Sequence, residues 1–177
     1  SGAEGIPAGP PAFHPEGSVL EHTAQVMDGA AHAALVQERQ KQEAVEAPEA
    51  DDMEASRTPR DTRALAVWMA LCHDMGKLST PVDMWPRHIG HEEPGEEQAR
   101  ILGEGLRLPR IYIKAGALAA RLHMRAGRYR ILRPGSKVDL LMALHAAQLI
   151  EPFFLMAAQD SHNPSLPQAA RADLKVI

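Results

Sequence analysis

The sequence has little cysteine, few aromatic residues and no strong excess of one charge. A single cysteine, Cys72, excludes an intrachain disulfide framework and a zinc site built only from thiolates, and it favours a reducing compartment, for which we expect the cytoplasm. The net charge of -4 provides no basic field for binding nucleic acid along the whole chain. No apolar run approaches the roughly 20 residues that span a bilayer, so no membrane partner is expected.

The composition favours helices over strands. Aromatic residues make up only 4% of the chain, whereas hydrophobic residues make up 45%, with abundant alanine, leucine and methionine. Such a balance suits close-packed helices better than a sheet. The 177 residues fit one domain, and we predict an all-α bundle of about six core helices.

Three regions follow from the distribution of glycine, proline and charge. Residues 1–15, rich in glycine and proline, are predicted to be an extended lead-in rather than a packed element. Residues 16–161 are predicted to form the domain. Its acidic insertion at about 37–59 has too little apolar surface to pack and is interpreted as an extension of the first helix that frays into a mobile loop. Residues 162–177 are predicted to be a peripheral tail.

Apolar spacing predicts the helices. Ser18 is placed to cap the first one, in which Leu20, Ala24, Met27, Ala31 and Leu35 recur at helical spacing, and His22 falls beside Val19 and Val26 on its inward edge. The second, from 60 to 72, is apolar on all sides and ends near Gly76, which suits a left-handed C-cap. Four more are expected at about 91–106, 109–126, 137–149 and 153–160, and Gly116 would let the fourth helix approach its neighbours closely.

Histidine and aspartate occur where these helices should be buried. Burying such a group is costly unless it is paired or binds a metal. Three helices each present such a group in place of an apolar side chain, which predicts one shared metal site formed by His22, His73, Asp74 and Asp160. Nitrogen and oxygen ligands suit a divalent transition metal such as Ni, Mn, Co, Fe or Zn.

Two further histidines, His91 and His123, could bind a second metal, or could instead support the first site or face the substrate. The remaining histidines are interpreted as surface or loop residues, with His88 the strongest exception. Cys72 and His73 are a poor nucleophile pair because adjacent helical residues point about 100° apart.

Arginines supply candidates for phosphate binding. Arg125 and Arg128 lie in a basic stretch around His123, and Arg87 lies in the loop before His91. A guanidinium group can hold a phosphate through two hydrogen bonds. The alternative, a solvated helix end and loop, is also common for arginine.

The order of these residues resembles a known family. His22, then His73-Asp74-Met75-Gly76-Lys77, then a late Asp160 is similar to the H...HD...D pattern of the HD superfamily of metal-dependent phosphohydrolases. The local runs at 14–23 (HPEGSVLEHT), 70–77 (ALCHDMGK) and 85–92 (WPRHIGHE) resemble the C-terminal HD domain of bacterial multifunctional CCA-adding tRNA nucleotidyltransferases.

This resemblance implies an HD-domain helical bundle that hydrolyses phosphoesters of nucleotides or RNA ends by metal-activated water, as a phosphomonoesterase or a cyclic-nucleotide phosphodiesterase. Asp74 and Lys77 would be catalytic, with Lys77 steadying the substrate phosphate or a bridging water. His91 and His123 match the additional histidines of binuclear HD enzymes, so one or two ions are expected.

The resemblance does not extend to a nucleotidyltransferase head, because the chain has no Gly-Ser followed by paired aspartates in a strand context. CCA addition by this chain alone is therefore not expected. A tRNA 3′ end becomes a partner if the chain belongs to a larger enzyme. The alternative function is a non-catalytic HD module that binds nucleotide or tRNA.

Overall fold

The computed structural model describes residues 5–45 and 59–177, with the side chains of residues 5–43 and 62–177. This part of the chain contains seven α-helices: α1 (Val19–Val45), α2 (Pro59–Cys72), α3 (Glu92–Gly105), α4 (Arg110–Gly127), α5 (Pro134–Ala146), α6 (Ile150–Asp160) and α7 (Leu166–Leu174). Short 3₁₀ segments occupy Met75–Ser79, Val82–Met84 and Tyr129–Ile131. An isolated antiparallel bridge between Pro7 and Ser18 is the only β pairing in the described ranges. The all-α prediction is confirmed.

The core lies where α2 and α6 meet, with α1 and α4 packed around them. The middle of α6 is buried on every side, including Phe153, Phe154 and Met156. Each fully buried side chain of this size stabilises the fold by about 1.5–3 kcal/mol. This packing holds the C-terminal ends of α2 and α6, which carry His73-Asp74 and Asp160, at defined positions.

The start of α1 is a capping box. The Glu21 backbone N–H donates to Ser18 Oγ at 3.2 Å, and the Ser18 backbone N–H donates to Glu21 Oε2 at 3.3 Å. The predicted cap is thus confirmed, and His22 lies on the buried face beside Val19 and Val26 as predicted. The predicted apolar stripe is one position away from that face, since Leu20 is 46% exposed. The buried stripe consists of Val19, His22, Val26, Ala30 and Ala34. Apart from His22, both stripes are apolar at helical spacing, and packing against α2 and α6 decides between them.

The second helix is less buried than its sequence suggests. Ala66, Met69 and Ala70 are fully buried, but Leu71 is exposed. The apolar character on all sides predicts a helix buried on every face, and this is wrong for the face that carries Leu71. That face is not covered by the neighbouring helices α1, α4 and α6. Local hydrophobicity does not specify how many neighbours a helix has.

Two glycines allow close approach between helices. A Cβ on Gly116 would lie 2.8 Å from Trp68 Nε1, as expected for the predicted contact of α4 with its neighbours. Gly76 lies inside the 3₁₀ segment and is not left-handed, so its predicted role as a C-cap is wrong. A Cβ there would lie 1.8 Å from the His91 carbonyl oxygen, so glycine is needed where the start of α3 meets the end of α2.

The lead-in packs against the domain, contrary to the sequence prediction. Ala8 is 1% exposed, and its N–H donates to the Gly17 carbonyl at 2.9 Å. The Val19 N–H donates to the Ile6 carbonyl at 2.8 Å. Small side chains let this backbone approach the core and pair with the turn before α1.

The C-terminal residues are also packed. Instead of a peripheral tail, they form α7, which buries Leu166 and Ala170 against α6. Asp173 accepts hydrogen bonds from the Tyr129 hydroxyl at 2.9 Å and from Lys137 Nζ at 3.2 Å. A proline in the first turn of α7 starts the helix, where it is tolerated, rather than disrupting it.

The boundaries of the other elements lie close to those predicted. Helix α5 begins at Pro134, where a break was predicted, because proline is suited to a first helical turn. The first part of the predicted acidic insertion is helical, since α1 continues to Val45, and residues 46–58 lie outside the described residues. In the described ranges, no helix has the length and apolar character required to cross a membrane.

Candidate metal centre

Six side chains from five parts of the fold meet at one end of the bundle. They are His22 in the first turn of α1, His73 and Asp74 after α2, His91 before α3, His123 in α4 and Asp160 at the end of α6. Asp160 is the most accessible, with 15% of its side chain exposed, while the other five are at most 5% exposed. The structure therefore brings together all six residues expected to bind metal.

The first ligand set comprises His22, His73, Asp74 and Asp160. His22 Nε2 lies 3.1 Å from Asp160 Oδ1 and 3.3 Å from His73 Nε2. His73 Nε2 lies 3.4 Å from Asp74 Oδ2. Ligand atoms about 2.1 Å from a common ion are about 3.0–3.4 Å apart at octahedral or tetrahedral angles. These three separations match that range, and two others are slightly longer: 3.7 Å from His22 Nε2 to Asp74 Oδ2 and 3.6 Å from His73 Nε2 to Asp160 Oδ1.

The second ligand set comprises Asp74, His91 and His123. Asp74 Oδ1 lies 3.3 Å from His91 Nε2 and 3.4 Å from His123 Nε2, and these two nitrogens are 3.2 Å apart. Asp74 thus directs one carboxylate oxygen to each set. Its Oδ1 is buried and has no hydrogen-bond partner among the described residues, as expected for an atom that faces a cation.

The histidine rings all present the same nitrogen to the cluster. Each Nδ1 lies within hydrogen-bond distance of an oxygen outside it: Ala70 O for His73 (2.7 Å), His88 O for His91 (2.8 Å), Ala120 O for His123 (3.0 Å) and Glu16 Oε1 for His22 (2.7 Å). A carbonyl or carboxylate oxygen can only accept, so each Nδ1 carries the proton and a neutral ring offers its Nε2 lone pair. Lone pairs that face each other at 3.2–3.3 Å require a proton or a metal ion between them.

The electrostatics also favour positive charge in the cluster. Burial lowers the pKa of His73, but the carboxylates of Asp74 and Asp160 outweigh it and raise that pKa to about 9. Burial raises the pKa of each carboxyl, yet the histidines hold the pKa of Asp74 well below its usual range and lower that of Asp160 to about 2. Mixed imidazole and carboxylate donors suit a divalent transition metal, so the residues fit such an ion.

Lys77 is buried beside the cluster. Its Nζ donates to Asp74 Oδ2 at 2.6 Å and to the Ala8 carbonyl at 2.7 Å. The three arginines predicted to bind phosphate, Arg87, Arg125 and Arg128, are exposed. In the described part of the chain, none of them forms a hydrogen bond or ion pair with the six cluster residues.

Two residues near the cluster were not recognised from the sequence. His88 lies in the loop before α3, as expected, but it is fully buried rather than at the surface; its Nε2 donates to the Pro7 carbonyl at 2.7 Å. That bond joins His88 to the packed lead-in. Glu16 contacts His22, and the only signal for it in the sequence was its place in the run at 14–23. Cys72 has no role in the cluster, because burial raises the pKa of its thiol to about 12 and keeps it protonated.

A helical bundle that brings a His-Asp pair, further histidines and a late aspartate together at one end defines a recognisable class. The model of the HD domain family matches residues 19–158, and the chain belongs to that family. HD domains bind divalent metals, and this chain has the His and Asp groups that can hold one.

The curated relatives narrow the similarity. The chain is 36% identical over 152 residues to the multifunctional CCA protein of Halorhodospira halophila, and the aligned region covers 84% of this chain and 30% of that protein. It is 33% identical over 160 residues to that of Alkalilimnicola ehrlichii, covering 89% of this chain and 32% of that protein. The chain thus spans about a third of the length of these relatives. No solved structure matches the chain.

Proposed function

We propose that this chain is a metal-dependent phosphohydrolase that acts on nucleotides or RNA-end phosphates. The observation that carries the proposal is the pair of ligand sets, joined by the two carboxylate oxygens of Asp74. His22, His73, Asp74 and Asp160 would hold one ion, and Asp74, His91 and His123 a second. When bound, such ions supply an activated water and offset the negative charge that develops on a phosphoryl group.

The protein residues would orient the ligands and the substrate. Lys77 uses two of its three N–H donors on Asp74 and Ala8, which leaves one for a substrate phosphate oxygen. Asp160 is the most exposed ligand and marks the side from which water and substrate would enter. Arg125 and Arg128 could contact a substrate phosphate only from the surface.

The substrate class rests on the relatives. Similarity to proteins named multifunctional CCA protein favours nucleotide and RNA-end phosphoesters, including a tRNA 3′ end if the chain works within a larger enzyme. The non-catalytic alternative is a module that binds nucleotide or tRNA without hydrolysis. The complete ligand set favours the enzyme, since binding alone does not require two converging groups of metal ligands.

The test compares metal content with turnover. We expect purified protein supplied with Ni, Mn or Co to bind metal and to hydrolyse 2′,3′-cyclic AMP or p-nitrophenyl phosphate, and Asp74→Ala to lose both properties. Asp139→Ala, at an exposed position in α5, is the matched control and should keep both. If the wild-type protein binds metal but hydrolyses no faster than Asp74→Ala, the non-catalytic module is the correct function.

A further inference from the structure

A glutamate outside both ligand sets contacts one of the metal ligands from behind. Glu16 Oε1 lies 2.7 Å from His22 Nδ1 and 2.9 Å from His14 Nδ1. The Glu16 side chain is only 6% exposed, and the His14 ring packs edge-on against that of His22 with centroids 4.8 Å apart. The far side of His22 is therefore occupied by a buried carboxylate.

His22 differs in this respect from the other histidines of the cluster. His73, His91 and His123 each place Nδ1 against the carbonyl oxygen three residues earlier in the chain. His22 instead reaches a carboxylate six residues earlier, in the turn before its own helix. Its ring orientation thus depends on a side chain that can be replaced.

We propose that Glu16 is a positioning residue that holds His22 in the tautomer with Nε2 free to bind metal. This inference rests on the proposed function, because it concerns a ligand of the same site. A carboxylate accepts hydrogen bonds but does not donate them, so it keeps the proton on Nδ1. A carboxylate behind a metal-binding imidazole also makes the ring a stronger ligand.

The backbone around Glu16 keeps the carboxylate in place. The adjacent Gly17 has a φ of 95°, a conformation suited to glycine, and its carbonyl accepts the Ala8 N–H of the lead-in. The Glu16 carboxylate is thus fixed behind His22.

A third metal site is a less consistent interpretation of the same residues. His14, Glu16 and His22 lie close enough to hold an ion. His22 Nε2, however, faces the first ligand set, so binding a further ion through Nδ1 would require the ring to lose both of its protons. A hydrogen bond to Glu16 requires no such loss.

The first test examines the ring in metal-free protein. Glu16→Gln keeps the size of the side chain, but an amide can donate as well as accept, so the tautomer is no longer selected. In mildly alkaline solution, long-range ¹H–¹⁵N spectra should show His22 protonated on Nδ1 in the wild type and a mixture of tautomers in Glu16→Gln, with His22→Gln identifying the signals. An unchanged His22 pattern in Glu16→Gln would overturn the inference.

The second test measures metal affinity. We expect Glu16→Gln to weaken nickel binding by about 10–100-fold, as is typical when the partner behind a ligand is lost. Glu21→Gln is the matched control: it removes a glutamate that contacts Ser18 but not the cluster, and should leave the affinity unchanged. Nickel affinity equal to that of the wild type in Glu16→Gln would overturn the inference and leave the proposed function standing. A wild type without metal binding or hydrolysis would reject the function, while the ring spectra would still decide the role of Glu16.

Discussion

The two ligand sets share Asp74 but differ in charge and support. The first set contains a second carboxylate, Asp160, in addition to Asp74 and two histidines, and Glu16 lies behind one of those histidines, His22. The second set has only the shared carboxylate, and its histidines are held by backbone carbonyls. Because each carboxylate attracts a divalent cation, the first set should bind its ion more tightly. Two adjacent ligand sets with similar geometry should therefore differ in their occupancy by metal at the same metal concentration.

Removing the shared carboxylate should weaken metal binding in both sets and have the largest effect of the variants described here. We expect Asp74→Asn to weaken binding in both sets by more than about 100-fold, the upper end for the loss of a partner that only supports a ligand. Isothermal titration with nickel measures this. Because Asp74→Asn also leaves buried Lys77 unpaired, at a cost of about 3–5 kcal/mol in stability, the double variant with Lys77→Met should recover stability but not metal binding. Recovery of binding in the double variant would contradict the ligand role.

Removing a ligand unique to one set should separate the two sites. We expect His91→Gln to keep one tightly bound ion, and Asp160→Asn to leave only weak binding. Equilibrium dialysis followed by elemental analysis gives the number of ions per chain at each metal concentration. Equal losses in the two variants would mean that the sets bind a single shared ion or have equal affinity.

A change in packing should affect the second set more than the first. In Gly76→Ala the new Cβ would lie 1.8 Å from the His91 carbonyl and 2.8 Å from the Gly95 nitrogen, so α3 must shift. We expect a loss of about 1–3 kcal/mol in the free energy of unfolding, measured with urea, and a weaker second ion. Gly105→Ala, which meets nothing within 4 Å, is the matched control and should be neutral or slightly stabilising. Wild-type stability in Gly76→Ala would show that the contact is not tight.

The surface arginines should have the smallest effect. Arg125→Ala and Arg128→Ala change exposed residues that form no bond with the cluster, and such changes usually alter free energies by less than about 0.5 kcal/mol. We therefore expect KM for a phosphoester to change by about 2-fold or less, without a change in metal content. A large rise in KM would show that an arginine reaches the substrate phosphate directly.

Much of the fold, and the grouping of the six candidate ligands, could be predicted because the relevant signals are local. Long apolar periods place the helices, and a polar residue at a buried helix end stands out against them, as Asp160 does. His22 lies on the stripe that the structure buries, although the predicted stripe was one position away. The phase of that helix depends on its neighbours, which a single sequence does not supply.

The parts that could not be predicted depend on contacts between distant segments. His88 is buried, and its ring donates a hydrogen bond to a carbonyl 81 residues earlier, a contact that leaves no mark in a sequence. The packing of Ala8 and α7 has the same origin. Glycine and proline indicated irregular backbone correctly, but irregular backbone can also be buried when its polar groups are bonded.

Backbone carbonyls orient three histidines of the cluster, His73, His91 and His123, and this should affect how the protein responds to a change in free metal concentration. Those carbonyls remain in place when no ion is bound, so capture of a metal orders few additional groups and loses little conformational entropy. A chelator should then strip the ions without unfolding the chain. The domain would then bind metal reversibly, with an occupancy set by the concentration of free metal ions.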